Sequence, residues 1–147
     1  MELKGRWFIT LYSGDTVKAY REGNNIITTD GKSFLAQFLN SAATAAATFT
    51  MRYIAIGTGV GAEAAADVAL GTESARATTG TVAAAAGAIY QVTTTFASGV
   101  GTGAITEYGL FDTASATAGT IFSRDLESVI NKGANDTLTV TTQITVV

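Results

Sequence analysis

Alternation of apolar and polar residues is clearest at the two ends of the chain. From Thr137 to Val146, five apolar or nearly apolar positions alternate with five polar ones, which predicts a strand with one buried and one wetted face. Near the start, the run Trp7–Tyr12 is apolar at alternate positions on both faces. Ser13-Gly14-Asp15 then turns the chain back through Val17–Glu22. Residues 1–27 are therefore predicted to form a β-hairpin.

The segment after the hairpin changes to a helical period. Thr28 or Thr29 can cap a helix, and Asp30 favours its positive end. The apolar positions at helical spacing are Phe34, Leu35, Phe38 and Leu39. This pattern predicts one short helix over residues 28–40.

The remaining strands are predicted within residues 51–147, after an Ala/Thr connector at 42–48. The predicted strands are 51–56, 82–96 (one long or bent strand, interrupted near Gly87), 104–111, 119–124, 127–131 and the carboxyl-terminal strand. Residues 62–80 are predicted to be a long loop with one helical turn at 64–70. We therefore expect one domain over residues 1–147. Its class is mainly β: an antiparallel β-sandwich, jelly-roll-like, with one short helix.

Composition narrows the chemistry that this chain can perform. It has 26 Ala, 25 Thr and 16 Gly but no His and no Cys, so it lacks a thiol nucleophile, a Ser-His-Asp relay and the usual zinc ligands. Charged residues make up 14% and the net charge is −3, which does not favour nucleic acid as a partner. Apolar runs are too short to span a bilayer. These features argue against an enzyme and predict no cofactor, no nucleic-acid partner and no membrane association.

A glycine-rich segment matches the Gly-x-Gly-x-x-Gly/Ala pattern of dinucleotide-binding turns. Gly57–Ala62 follows a predicted strand, with Glu73 as a weak ribose ligand. The pattern recurs at Gly99–Ala104, where a strand follows instead of a helix. We therefore interpret Gly57–Ala62 as a flexible turn.

Two pairs of carboxylates could in principle serve acid–base chemistry. They are Asp125 with Glu127, and Glu107 with Asp112. Such pairs hydrolyse glycosides, but acids in surface turns are ordinary, and no Asp-x-Asp-x-Asp loop indicates calcium. The prediction is therefore no catalytic residue and no metal site.

The aromatic residues of the first strand are the candidate interaction residues: Trp7, Phe8 and Tyr12. A strand that is apolar on both faces invites a partner. Either these residues belong to the core, or one face of the strand packs on another subunit. The Ala-rich stretches similarly allow a close approach of a neighbouring backbone.

Five segments in order carry a resemblance to a known group of proteins. They are Gly23–Ile27, Tyr53–Gly59, Ala69–Glu73, Ala104–Asp112 and Asn131–Thr141. This order resembles small tailed-phage virion proteins described as structural, tail-fibre-like or capsid-decorating. Relatives commonly carry Pro after the Ile-Gly-Thr-Gly turn and an aromatic residue in the last strand, where this chain has Ala62–Ala66 and Thr142-Gln143.

The resemblance implies a virion structural protein without catalytic residues. Our first expectation is a capsid decoration or cement protein, made in the host cytoplasm and bound to the outer capsid surface. Its partners would be the major capsid protein and further copies of itself, as a dimer or trimer. A tail-fibre or baseplate adaptor is the alternative, and a small carbohydrate-active enzyme is the best candidate from another class.

Overall fold

The computed structural model describes residues 2–41, 51–85 and 87–147. The elements in chain order are β1 (Leu3–Ser13), β2 (Thr16–Ile27), α1 (Thr29–Ser41), β3 (Tyr53–Gly57), β4 (Glu73–Arg76), β5 (Thr81–Ala85), β6 (Ile89–Phe96), β7 (Gly103–Phe111), β8 (Ile121–Lys132) and β9 (Asp136–Val146). The strands form one antiparallel nine-stranded sheet in the order β4-β3-β7-β8-β2-β1-β9-β6-β5, curled into a half-barrel. The predicted class, a mainly β antiparallel sandwich with one short helix, is confirmed.

Strand β2 joins the two halves of the curled sheet. Most of β2 pairs with β1, whereas its last residues, Ile26 and Ile27, pair with Arg124 and Ser123 of β8. The first half is therefore β2-β1-β9-β6-β5, and the second half is β4-β3-β7-β8. Because the sheet curls, the inner faces of the two halves pack against each other and form the main core.

The carboxyl-terminal strand has one buried face and one more exposed face, as its alternating residues predicted. In β9, Leu138, Val140 and Ile144 are buried in the core, whereas the intervening threonines are half-buried on the opposite face. Thr142 shares the inner face and is fully buried. Strand β9 lies between β1 and β6, so its backbone is hydrogen-bonded along both edges.

The first hairpin forms with a tighter turn than predicted. Ser13 pairs with Thr16, which leaves Gly14 and Asp15 as a two-residue turn. Gly14 has φ +55°, the conformation that glycine adopts readily at the first central position of a type II′ turn. A bulge then makes Lys18 the extra residue of β2, so its side chain reaches Asp136 (2.8 Å).

The predicted helix is present and capped as expected. It spans Thr29–Ser41, and the Thr28 hydroxyl oxygen accepts the backbone N–H of Gly31 at 2.9 Å. The same hydroxyl donates to the carbonyl of Ile121 at 2.6 Å. The cap therefore also ties the start of the helix to β8. The predicted Ala/Thr connector at 42–48 lies outside the described residues.

Several predicted boundaries are corrected. The segments 119–124 and 127–131 form one continuous strand, β8, because its bulged pairing with β7 absorbs the irregularity between them. The segment 82–96 is a hairpin of β5 and β6, with Gly87 in a left-handed conformation at its turn. The loop 62–80 contains the short strand β4, whose Ala75 and Arg76 pair with β3. The helical turn predicted at 64–70 is a single tight turn, in which the Asp67 N–H donates to the Ala64 carbonyl at 3.0 Å.

A buried hydroxyl in the core gives the first testable prediction. Thr142 Oγ1 has no hydrogen-bond partner among the described residues, so its burial is uncompensated. Replacing it with valine keeps the branched shape and removes the hydroxyl. Thr142→Val should raise the free energy of unfolding by about 1 kcal/mol, measured by urea denaturation.

The neighbouring residue provides the matched control. Thr141 lies on the opposite face, and its hydroxyl is hydrogen-bonded to that of Thr93. Thr141→Val should give no comparable gain. A stability of Thr142→Val equal to or below that of the unmodified chain would contradict the prediction.

Candidate interaction surface

The outer faces of the two halves differ in what covers them. On the second half, Ala55, Phe111 and Ile121 form a small buried cluster with Leu70 of the loop between β3 and β4. That loop lies over β7 and β8. On the first half, the outward side chains of β1, β2, β6 and β9 are half-buried or exposed. The first half therefore presents the open sheet face of the described chain.

The aromatic residues predicted as interaction residues divide between the two faces of β1. Trp7 is fully buried, with its ring centroid 6.1 Å from that of Tyr108. In the amide orientation that satisfies both side-chain atoms of Asn25, its oxygen accepts the indole N–H at 2.8 Å. Trp7 is therefore a core residue, which corrects its place among the candidate surface residues. Phe8 and Tyr12 are half-buried on the outer face.

Strand β2 adds two residues that the sequence reasoning did not single out. Tyr20 pairs with Thr10, and Val17 pairs with Tyr12. Both are about half-exposed, at 47% and 55%. Together Phe8, Tyr12, Val17 and Tyr20 form the aromatic patch. The predicted hairpin placed both residues on the returning strand. Their neighbours on β1 could not be predicted, because the register depends on the bulge and on the two-residue turn.

The other half of this face is a regular array of polar side chains. Three pairs are hydrogen-bonded across β6 and β9: Thr93 with Thr141 (2.9 Å), Thr95 with Thr139 (3.0 Å) and Gln91 with Gln143 (2.7 Å). We call these six residues the threonine ladder. Because each pair satisfies part of its own hydrogen bonding, covering the ladder costs less desolvation than covering free hydroxyls.

Charges on this face lie near the aromatic patch and are already paired. Arg6 contacts Glu22 at 3.4 Å, and its guanidinium lies 5.1 Å from the centroid of Phe8. Tyr20 donates its hydroxyl to Glu22 at 2.7 Å, and this hydrogen bond raises the pKa of Tyr20. A surface with aromatic side chains and few unpaired charges has the composition of a protein interface.

The glycine-rich segment binds a carboxylate of the chain itself. Glu107 is fully buried and accepts backbone N–H groups from Gly59 (2.8 Å), Gly71 (2.8 Å) and Thr72 (2.7 Å). Arg124 donates to the same carboxylate at 2.9 Å. Burial raises the pKa of Glu107, but these four donors outweigh it and hold the pKa below its ordinary value. The amides at Gly59 and Gly71 are therefore already occupied, which supports the turn interpretation over a dinucleotide site.

The glycines are required because this carboxylate approaches the backbone closely. A Cβ at Gly59 would lie 2.4 Å from Glu107 Oε1, and one at Gly57 would lie 2.4 Å from the Thr72 carbonyl oxygen. Neither distance is compatible with a side chain. The Gly57-x-Gly59 pattern therefore serves close packing of the loop on β7.

The carboxylates considered for catalysis lie in structural positions. Glu107 is occupied by the loop, and Asp112 accepts the Thr120 N–H at 2.8 Å. Asp125 is 1% exposed, and its Oδ2 has no hydrogen-bond partner among the described residues. Burial, followed by the nearby carboxylates of Glu127 and Glu63, raises the pKa of Asp125 to about 7.

Comparisons and metal chemistry give no further identification. No protein-family model, curated protein or solved structure matches this chain. Within residues 2–41, 51–85 and 87–147, no group of three acidic, histidine or cysteine side chains is arranged to hold a metal ion. In the same part of the chain, no helix has the length and apolar character needed to cross a membrane.

The buried Glu107–Arg124 pair gives the second prediction. Glu107→Gln removes the more deeply buried of the two carboxylates that bind Arg124 and places an amide NH2 among backbone N–H donors. It should therefore lower the free energy of unfolding by about 3 kcal/mol, measured by urea denaturation. Hydrogen exchange at the Gly59, Gly71 and Thr72 amides should accelerate more than exchange in β9. Asp112→Asn, which alters a carboxylate bound to one N–H, should cost about 1 kcal/mol. Unchanged protection of the three amides would contradict the assignment.

The raised pKa of Asp125 gives the third prediction. Its folded-state pKa is about 7 against an ordinary value of 3.8, so folding favours the protonated form. The resulting stability is complete below about pH 4 and is lost as the pH rises through 7. Between pH 4 and 8, the stability of Asp125→Asn relative to the unmodified chain should increase by on the order of 4 kcal/mol.

Thermal unfolding followed across this pH range would test the linkage. Asp15→Asn, in the exposed hairpin turn, makes the same change of charge without altering the buried site. Its stability relative to the unmodified chain should stay nearly constant. Parallel pH curves for the unmodified chain and Asp125→Asn would disprove the linkage.

Proposed function

We propose that this chain is a bacteriophage virion structural protein that decorates the outer surface of an icosahedral capsid. The observation that carries the proposal is the open outer face, where the aromatic patch lies beside the ordered threonine ladder. A face of this kind would bind a protein surface through complementary shape and the burial of apolar side chains, without catalysing a reaction. The ordered resemblance of five sequence segments to small phage virion proteins supports the same class.

The arrangement of the buried polar groups favours binding over catalysis. Glu107 and Arg124 hold a loop, and Arg76 bonds Glu73 while donating to backbone carbonyls of the 113–118 segment. Asp125 is enclosed. Of the four acids considered for glycoside hydrolysis, Glu107 and Asp112 are engaged and Asp125 is buried. Half-buried Glu127 is thus left without an accessible partner acid from that set, and we propose no enzymatic activity.

Two surfaces would carry the contacts of such a protein. One is the open outer face with Phe8 and Tyr12. The other is the loop between β3 and β4 (residues 58–72), which Glu107 and Arg124 hold in place and which we call the clamped loop; its small residues Gly61, Ala62 and Ala64–Ala66 are exposed. This part of the clamped loop can approach another backbone closely because most of its side chains are short. The major capsid protein is the proposed partner, and copies joined to one another would bind the shell more persistently than single copies.

Copy number in purified virions tests the proposal. Quantitative mass spectrometry should find this chain at hundreds of copies per particle, as repeated binding over a closed shell requires. About a dozen copies or fewer would indicate the alternative, a tail-fibre or baseplate adaptor. Complete absence of the chain from particles would disprove both.

A surface variant tests the contribution of the aromatic patch. Phe8→Ala with Tyr12→Ala should lower the copy number at least about tenfold, because truncating interface aromatics costs more than 1 kcal/mol each. Val129→Ser, at an exposed position of β8, is the control and should bind normally. Circular dichroism would show that both variants fold, and equal incorporation would contradict a role for the patch.

A further inference from the structure

The open outer face is divided into a raised half and a flat half. Strands β2 and β1 carry the large side chains of the aromatic patch, whereas β9 and β6 carry the threonine ladder, in which four of the six side chains are the short ones of threonine. The cross-strand rows are Glu22–Phe8–Thr141–Thr93 and Tyr20–Thr10–Thr139–Thr95. In each row the large aromatic residue, Phe8 or Tyr20, lies on β1 or β2, and the two residues on β9 and β6 are threonines.

This division makes the face complementary to itself under one particular symmetry. A twofold axis parallel to the strands, placed over the boundary between β1 and β9, brings β2 of one copy over β6 of the other. The same rotation brings β1 over β9. Tyr20 then lies over Thr95 of the second copy, and Phe8 lies over Thr141. The large side chains of Phe8 and Tyr20 therefore meet threonines, as sheet-on-sheet packing with interdigitated side chains requires, whereas Thr10 lies over Thr139.

The charges at the edge of the face are compatible with this arrangement. The rotation brings Arg6 over Gln143 and Glu22 over Thr93, so no charge meets a like charge. The amide and hydroxyl groups of the ladder can accept from or donate to the charged groups. By contrast, a twofold axis perpendicular to the strands would stack aromatic patch on aromatic patch and leave the two ladders facing each other across a gap.

The extent of the face sets the strength of the contact. Four strands spaced about 4.8 Å apart and about six residues long cover a planar area of about 400 Å². A standard stable interface buries about 800 Å² on each partner. The planar face is about half that size, so the contact belongs to the class of weak, reversible interfaces and is too small for an obligate dimer.

We infer that this chain forms a twofold homodimer through its open outer face, with the aromatic patch of each copy packed on the threonine ladder of the other. The second copy would cover the outer face of the first half, as the clamped loop covers the outer face of the second half. The inference uses the same open outer face as the proposed function: in a decorating dimer this face would join the two copies and leave the loop between β3 and β4 to contact the capsid. Sedimentation tests the dimer on the purified chain, whereas copy number in virions tests the proposed function.

Sedimentation of the purified chain over about a hundredfold range of concentration tests the inference, since a reversible dimer responds to mass action. The unmodified chain should shift from monomer to dimer as concentration rises. Tyr20→Lys and Thr95→Glu, each at an exposed position, should weaken dimerisation about tenfold or more by placing an unpaired charge in the contact. The double variant should recover to within about threefold of the unmodified chain.

Recovery in the double variant identifies the symmetry as well as the surface. Within one chain, positions 20 and 95 lie three strands apart, so a new ion pair has to form between copies. Val68→Lys, in the loop on the other half and 66% exposed, is the control and should dimerise normally. A chain that stays monomeric at every concentration, or single variants that dimerise unchanged, would overturn the inference. Dimers weakened by the single changes but not restored in the double variant would overturn the proposed axis.

Discussion

The buried pairing of Glu107 with Arg124 is the interaction on which the second half of the sandwich depends. Glu107 accepts backbone N–H groups from both ends of the loop between β3 and β4. Arg124 donates to the Gly61 carbonyl and to the Asp67 carboxylate of the same loop. A buried ion pair is stable when hydrogen bonds satisfy its remaining atoms, and here the loop supplies them. The ion pair and the closed loop therefore depend on each other, because without the loop both charges lose hydrogen bonds that they make in the folded chain.

The clamped loop makes the two faces of the molecule unequal. It covers the outer face of β7 and β8, so β7 is buried on both sides along most of its length. The corresponding face of the first half has no such cover in the described chain. A sandwich with one covered and one open outer face has a defined side for a partner. The buried ion pair holds the loop over one outer face, so it also determines which outer face is free for the proposed role in assembly.

The core also contains polar groups that its packing does not satisfy. Asp125 and Tyr108 are directly paired across β8 and β7, yet one oxygen of the carboxylate and the phenol hydroxyl lack partners among the described residues. Burial and the carboxylates of Asp125 and Glu127 raise the pKa of Tyr108. Of the two, Asp125 lowers the stability of the core near neutral pH, because its carboxylate then has to carry its charge while buried. Their enclosure by the strands makes them a feature of folding energetics and not of a site open to substrate.

Secondary structure was predictable from the amino-acid sequence where the patterns are local. The alternation in β9, the hairpin of β1 and β2 and the cap at Thr28 follow from side-chain periodicity and turn chemistry, and all are present. Tertiary structure decided what the glycine motif and the aromatic residues do, because those roles depend on partners far away in the chain. Glu107 reaches Gly59 across 48 residues, and Phe8 joins the threonine ladder only because β9 returns beside β1. Trp7 differs from Phe8 in exposure because alternate residues of a strand point to opposite faces, and only the curl of the sheet decides which face is buried.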